Sequence, residues 1–188
     1  MIRKWAWKRK EVNILQLVKG ENVLDIGCGE GRIAFRLCNE GHKVTGIDIL
    51  AKCTKNAKES GGNLQVVISD AAFLPFKDDI FDCCLFSEVL EHLTAPEYAL
   101  IEAKRVLKDR GEIVALVPND LNFFIARLFT LRFEDAFAER GHIRSFNQRS
   151  FDEFLTKHGK VIQRRGIPLN LPFEFSLLYA IKLAIRKR

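Results

Sequence analysis

The sequence predicts a doubly wound α/β fold, a mostly parallel sheet with helices on both faces. Short apolar runs alternate with helical patterns between residues 22 and 118, the signature of parallel strands joined by crossover helices. The runs themselves, such as "FDCCLF" and "EIVALVP", are apolar almost throughout, as strands covered on both faces require. A length of 188 residues at 47% hydrophobic composition supplies one substantial core rather than two.

Taken in order, the first twenty residues read as a basic, tryptophan-containing arm followed by a short helix over "VNILQLV". "NVLDIG" is the first strand, "GRIAFRLCNEG" a helix ended by Gly41, and "KVTGIDI" the second strand. A polar helix over about residues 51 to 60, a "GGN" turn and the strand "LQVVIS" follow. "FDCCLF" is the fourth strand, "PEYALIEAKRVLKDRG" a helix from Pro96 to Gly111, and "EIVALVP" the fifth strand.

Past Asn119 the alternation breaks. "LNFFIARLFTLRFEDAF" reads as an amphipathic helix, "SFDEFLTKHG" as a helix capped by Ser150 with Glu153 three residues on, and "KVIQRRG" as a sixth strand. The tail "FSLLYAIKLAIRKR" fits either a last strand or a surface helix. The expected organisation is a basic arm and helix over 1–20, a ligand-binding domain over 21–166, and an apolar and basic tail over 167–188 packed on the domain or at a membrane surface.

The formal charge of +6 and pI near 9.1 favour anionic partners in general, but the excess gathers in "RKWAWKRK" and "RKR" at the two ends. No aromatic-and-basic surface module accompanies it, so nucleic acid is not expected as a partner. Five cysteines without a CxxC pair or zinc-ligand spacing argue against a disulfide framework and a structural zinc. The start lacks a signal-peptide pattern, and Lys182 interrupts the most apolar late segment. The expected location is the cytoplasm, with peripheral contact at the inner membrane surface left open.

The chemistry begins at "VLDIGCGEG". Glycines in the first strand-to-helix turn permit backbone conformations and close approaches that a Cβ obstructs, so Gly27, Gly29 and Gly31 predict a ligand held by backbone. Their GxGxG spacing departs from the dinucleotide GxGxxG, with Arg32 where the third glycine would fall. Asp25 and Glu30 beside the turn suit a ligand with a cationic portion better than a pyrophosphate. Asp48, at the end of the second strand, is placed to accept from both hydroxyls of a ribose. Asp70 and the Ala71 N–H, at the end of the third strand, form a donor and acceptor pair for adenine. A nucleoside with a cation and no phosphate describes S-adenosylmethionine.

With these residues in view, the sequence resembles the class I S-adenosylmethionine-dependent methyltransferases, and within them the group containing quinone-biosynthesis methyltransferases. "VLDIGCGEG", "GIDI", "SDAAFLPF", "FDCCLFSEVLEHL" and "LKDRGEIVALVPN" carry the likeness, over roughly residues 20 to 166. The resemblance implies a Rossmann-like class I methyltransferase fold, Asp25 and Gly27 facing the methionine part, Gly29 in the same turn, and Asp48 on the ribose with Ile49 beside the adenine. It also implies that Asp70 and Ala71 read adenine, and that Phe86 and Ser87 close the methionine end through backbone. "GHIRSF", with His142 and Arg144, resembles a segment that helps form the acceptor side.

In "SEVLEHL" a helix would place Glu88, Glu91 and His92 on one side, at i, i+3 and i+4. Three readings stay open: an acceptor-side base, a divalent-metal cluster, or capping and salt-bridge residues. The resembled quinone O-methyltransferases place a metal-linked acidic and histidine set here. His92 ranks first as base or orienter, with Glu88, His142 and Arg144 as further acceptor-side candidates, and no metal ligand is assigned.

The expected activity is methyl transfer to a small acceptor, apolar or lipid-linked, at oxygen or carbon. Two alternatives stand beside it: a non-catalytic binder of the same cofactor acting as regulator or partner, and an RNA or protein methyltransferase. "FSEV" occupies the place of the acidic-proline-aromatic tetrapeptide typical of many amino-group methylases. Oligomeric state is not legible.

Overall fold

The computed structural model describes residues 2–53, 64–119, 142–167 and 178–187, with side chains from Lys10 onward. Five strands run parallel: β1 (Asn22–Ile26), β2 (Lys43–Asp48), β3 (Gln65–Ile68), β4 (Phe81–Ser87) and β5 (Leu107–Pro118). β6 (Lys160–Ile167) and β7 (Leu178–Ala184) add antiparallel, giving the sheet order β3-β2-β1-β4-β5-β7-β6. The order reverses beside β1, so a crevice opens at the carboxyl ends of β1 and β4. Register sets the strands abreast there: Ile26 lies opposite both Ile47 and Phe86.

Successive side chains on the central strands serve opposite layers, which explains their unbroken apolar character. Cys83, Leu85, Val114 and Leu116 pack with helices α1 (Ile2–Leu17) and α2 (Arg32–Asn39). Cys84, Phe86, Ile113 and Ala115 pack on the other face with α3 (Pro96–Val106) and α4 (Gln148–Thr156). The adjacent thiols Cys83 and Cys84 are buried on opposite faces, and burial pushes the Cys83 thiol up to about 12.

Four local expectations change. The arm is no separate element, because α1 is one continuous helix from Ile2. α3 stops at Val106 rather than Gly111: Leu107 is already extended, Arg110 stands at φ 62, and the register of β5 on β4 shifts between the pairs at Phe81 and Cys83. The cap of α4 is Asn147, whose side chain accepts from the Ser150 N–H at 2.8 Å while the Asn147 N–H donates to Ser150 Oγ at 3.0 Å. Glu153 instead pairs with Arg149, one turn back, at 2.7 Å.

The tail resolves as strand β7. Lys182, which interrupts the apolar run of the tail, is only 6% exposed and reaches Glu112 of β5 at 2.6 Å, so the charge lies in the sheet paired. Leu178, Tyr179, Ile181 and Leu183 are buried in the core instead of forming the apolar side of a surface helix. The helices read over residues 121–137 and over most of 51–60 lie outside the described residues. Among the described residues, no helix is long and apolar enough to cross a membrane.

Asp82 ties β4 to its neighbours: one carboxylate oxygen accepts from the Glu21 and Asn22 N–H groups at 3.0 and 2.8 Å, the other from Lys108 at 2.7 Å. Burial pushes its carboxyl up, but the hydrogen bonds from Asn22 and Lys108 outweigh it and hold the carboxyl below its ordinary value. Such a group stabilises the fold above the unfolded carboxylate value near 4, and the gain is lost as pH falls through the lower folded value. Asp82→Ala is expected to cost about 1–3 kcal/mol at neutral pH, the penalty of orphaning two backbone donors, and to cost little in strong acid. Urea unfolding of both proteins across the acid range measures it.

Candidate cofactor and acceptor cleft

The turn from β1 into α2 needs its glycines for backbone reasons. Gly27, Gly29 and Gly31 take φ values of 71, 54 and 74, a region that residues with a Cβ rarely enter. At Gly27 space matters as well, since a Cβ there would sit 2.5 Å from Val89 Cγ2. Nothing lies within 4 Å of a Cβ built at Gly29, so that position opens onto free space.

Asp48 fixes this turn. One of its oxygens accepts from the Gly29 N–H and the other from the Leu50 N–H, each at 2.9 Å. The Cys28 N–H donates to the Ile47 carbonyl at 2.8 Å, so the turn is stitched to the end of β2 by backbone and side chain together.

Two compartments open here. The first, about 490 Å³, is bounded by Asp48, Ile49, Asp70, Ala71, Val89 and His92. The second, about 430 Å³, is bounded by Lys10, Asp25, Cys28, Arg32 and Ser87. Gly27 and Glu88 border both, so the compartments meet at the glycine turn. Asp70 keeps its carboxylate at the rim, with one oxygen accepting from the Ala72 N–H at 2.8 Å.

The second compartment is the more charged. Asp25 is 2% exposed and its carboxyl is pushed up to about 7: burial is the main cause, Lys10 pulls it back and Asp48 pushes it further. An acid raised in the folded state adds stability at low pH, and that share is lost as pH climbs from about 4 to about 7. Lys10 is itself buried and makes an ion pair with Glu88.

Glu88 is where the expected helix fails. It stands at φ 59, its N–H donates to the Leu116 carbonyl, and only Leu90–His92 form a short 3-10 turn. Glu88 therefore leaves the face it was expected to share and turns to Lys10. Its place beside Glu91 and His92 is taken by His142: one ligand atom from each of the three lies within 4.8 Å of the others. The Glu91 carbonyl accepts from the Ile143 and Arg144 N–H groups at 3.0 and 3.1 Å, and the two imidazole rings meet edge to face at 4.8 Å.

Of the residues picked out by sequence, Asp25, Gly27, Asp48, Ile49, Asp70, Ala71, Ser87, Glu88 and His92 border the cleft. Gly29 lies in the turn with its N–H committed to Asp48, and Phe86 is fully buried under α3. His142 and Arg144 line neither of the two compartments: the His142 ring meets His92, and the Arg144 N–H donates to the Glu91 carbonyl. Sequence reasoning missed Lys10 and Val89, the first because it sits among basic residues that read as a solvated arm. Gly27→Ala is expected to destabilise the protein by about 1–3 kcal/mol, from the φ strain and the Val89 overlap. Thermal unfolding should show part of that loss returning in the double variant with Val89→Ala.

Comparison with known proteins agrees with this geometry. A family model described as a methyltransferase domain matches residues 24–115, which hold the glycine turn, Asp48, Asp70 and β4. The Ubiquinone/menaquinone biosynthesis C-methyltransferase UbiE of Francisella tularensis subsp. novicida is 34% identical over 119 residues, covering 58% of this chain and 48% of that protein. The chain thus spans about half the length of the curated relatives it matches. The PH0226 protein of Pyrococcus horikoshii superposes with a TM-score of 0.77 at 21% identity, covering 95% of this chain and 89% of its own. A SAM-dependent methyltransferase of Methanosarcina mazei does so at 0.71 and 22%, covering 94% and 98%. These structural likenesses show the fold. By its matched domain, its strand order and its glycine turn, the chain carries a methyltransferase domain on the Rossmann-like class I methyltransferase fold.

Proposed function

We propose that the protein transfers the methyl group of S-adenosylmethionine to a small apolar or lipid-linked acceptor, at oxygen or carbon. The observation that carries this reading is the division of the cleft into two compartments meeting at Gly27. An elongated ligand with a nucleoside at one end, an amino acid at the other and a cationic centre between them has the matching shape and charge. The residues fit that ligand: Asp48 and Asp70 flank the first compartment, and the carboxylates of Asp25 and Glu88 border the second.

S-adenosylmethionine supplies a methyl group activated by a sulfonium, which departs as a neutral thioether. The chain's share is alignment and exclusion of water. Each Asp48 oxygen accepts one backbone N–H, and a carboxylate oxygen has a second lone pair for a ribose hydroxyl. Ile49 offers an apolar side chain to the base, and Gly27 lets the backbone approach the sulfur. His92, at the mouth of the cleft beside Leu93, is positioned to orient an acceptor hydroxyl or take its proton. Val89, Leu93 and Ala99 give this compartment apolar walls suited to a nucleobase, and the likeness to a quinone-biosynthesis C-methyltransferase supports an apolar acceptor.

A second reading of the acceptor side rests on the cluster of Glu91, His92 and His142. Two imidazoles and a carboxylate suit a divalent transition ion, whose charge would favour the anionic form of an acceptor hydroxyl. Turnover of protein stripped with a chelator decides between the two. Activity unchanged by chelation but lost in His92→Ala supports the base, whereas activity lost on chelation and restored by zinc or cobalt supports the ion.

Incubation with methyl-labelled S-adenosylmethionine and a cell lysate, followed by partition into an organic phase, tests the overall reading. Label is expected in the organic phase, and Asp48→Ala should reduce it about tenfold or more through loss of charge-assisted hydrogen bonds. Label confined to macromolecules or polar metabolites would replace the apolar acceptor. Absence of transfer alongside tight cofactor binding would turn the reading to a non-catalytic binder.

A further inference from the structure

The buried stripe of α1 ends in a charge. Ile14 and Leu17 are packed against the sheet, and Lys10 lies on the same side, one turn before Ile14. There the helix passes from the sheet face to the carboxyl ends of the strands, and Lys10 becomes a wall of the second compartment. It is 4% exposed, a costly place for an ammonium unless opposite charge surrounds it. Glu88 supplies that charge as an ion pair, and Asp25 is close enough for Lys10 to act on its carboxyl.

The position of Lys10 is built into the fold. Arg165 of β6 donates to Asn13 Oδ1 at 3.1 Å and to Gln16 Oε1 at 2.7 Å, and Arg36 of α2 pairs with Glu11 at 3.3 Å. These contacts anchor α1 on both flanks of Lys10. Within the compartment Ser87 Oγ is buried and has no hydrogen-bond partner among the described residues, so the wall also holds a polar group awaiting a ligand. Arg32, the other cation of the compartment, is exposed.

We propose that Lys10 is the positioning residue for the amino-acid end of the cofactor, its ammonium shared between Glu88 and the ligand's α-carboxylate. This rests on the cofactor reading above and deepens it. Of the three acidic residues lining the compartment, the exposed Glu30 stands apart, while Asp25 and Glu88 suit the ligand's α-ammonium and Lys10 supplies a buried cation for the carboxylate. The compartment then recognises a zwitterion, with α1 contributing the half of the recognition that lies outside the matched domain.

Two nucleosides separate the possibilities by calorimetric titration. S-adenosylhomocysteine carries the amino-acid end, whereas 5′-methylthioadenosine lacks it. Lys10→Met is expected to weaken S-adenosylhomocysteine tenfold or more and leave 5′-methylthioadenosine within about twofold, a pattern that also shows the variant is folded. Lys10→Arg, which keeps the charge, should recover most of the loss. Unchanged or tighter S-adenosylhomocysteine binding by Lys10→Met overturns the proposal, as does an equal loss for both ligands, which would make Lys10 merely structural. Wild-type protein that binds neither nucleoside overturns the cofactor reading itself, and this proposal with it.

Discussion

The cleft depends on the Asp48 carboxylate more than on any other single group. By accepting from the Gly29 and Leu50 N–H groups it holds the glycine turn against the end of β2. Three left-handed glycines in one short turn are conformationally loose in isolation, and glycine loses more freedom on ordering than any other residue. A charged acceptor with two well-formed hydrogen bonds offsets part of that cost and selects one geometry. The same geometry leaves room at Gly29 and brings Gly27 against Val89, so the compartments share an edge instead of lying apart.

Charge then divides the labour. The first compartment has its carboxylates at the rim, Asp70 being exposed, and apolar side chains on the walls. The second encloses Asp25 and Lys10 away from solvent, where unpaired charge is expensive and neighbouring charge has long reach. A site organised this way discriminates by how well a ligand's own charges replace or complete those already present.

What could be read from the sequence follows the range of the interactions. The glycine turn was legible because its requirement is local, a φ that only glycine adopts cheaply. That Asp48 and Asp70 border the cleft was legible because both stand at the carboxyl ends of strands, where the crevice of this fold opens. Glu88 was not, because its left-handed backbone and its turn toward Lys10 come from a partner far away in sequence. His142 could be named but not placed, since its ring meets His92 through a segment whose Ile143 and Arg144 N–H groups bond to the distant Glu91 carbonyl. For the tail, composition balanced strand against helix until Glu112 was seen to receive Lys182.

The position of β7 between β5 and β6 has a consequence for how the chain is made. Synthesis delivers β6 before the strand that joins it to the sheet, so among the described residues β6 has no neighbour in the sheet until β7 emerges and takes the place between β5 and β6. Until that moment the apolar edge of β5 is an open template, the kind of surface that recruits other nascent chains. Insertion of β7 carries Lys182 to Glu112 and closes that edge in one step. β7 borders neither compartment of the cleft, so its insertion completes the pairing of β5 and β6 without adding a wall to the site.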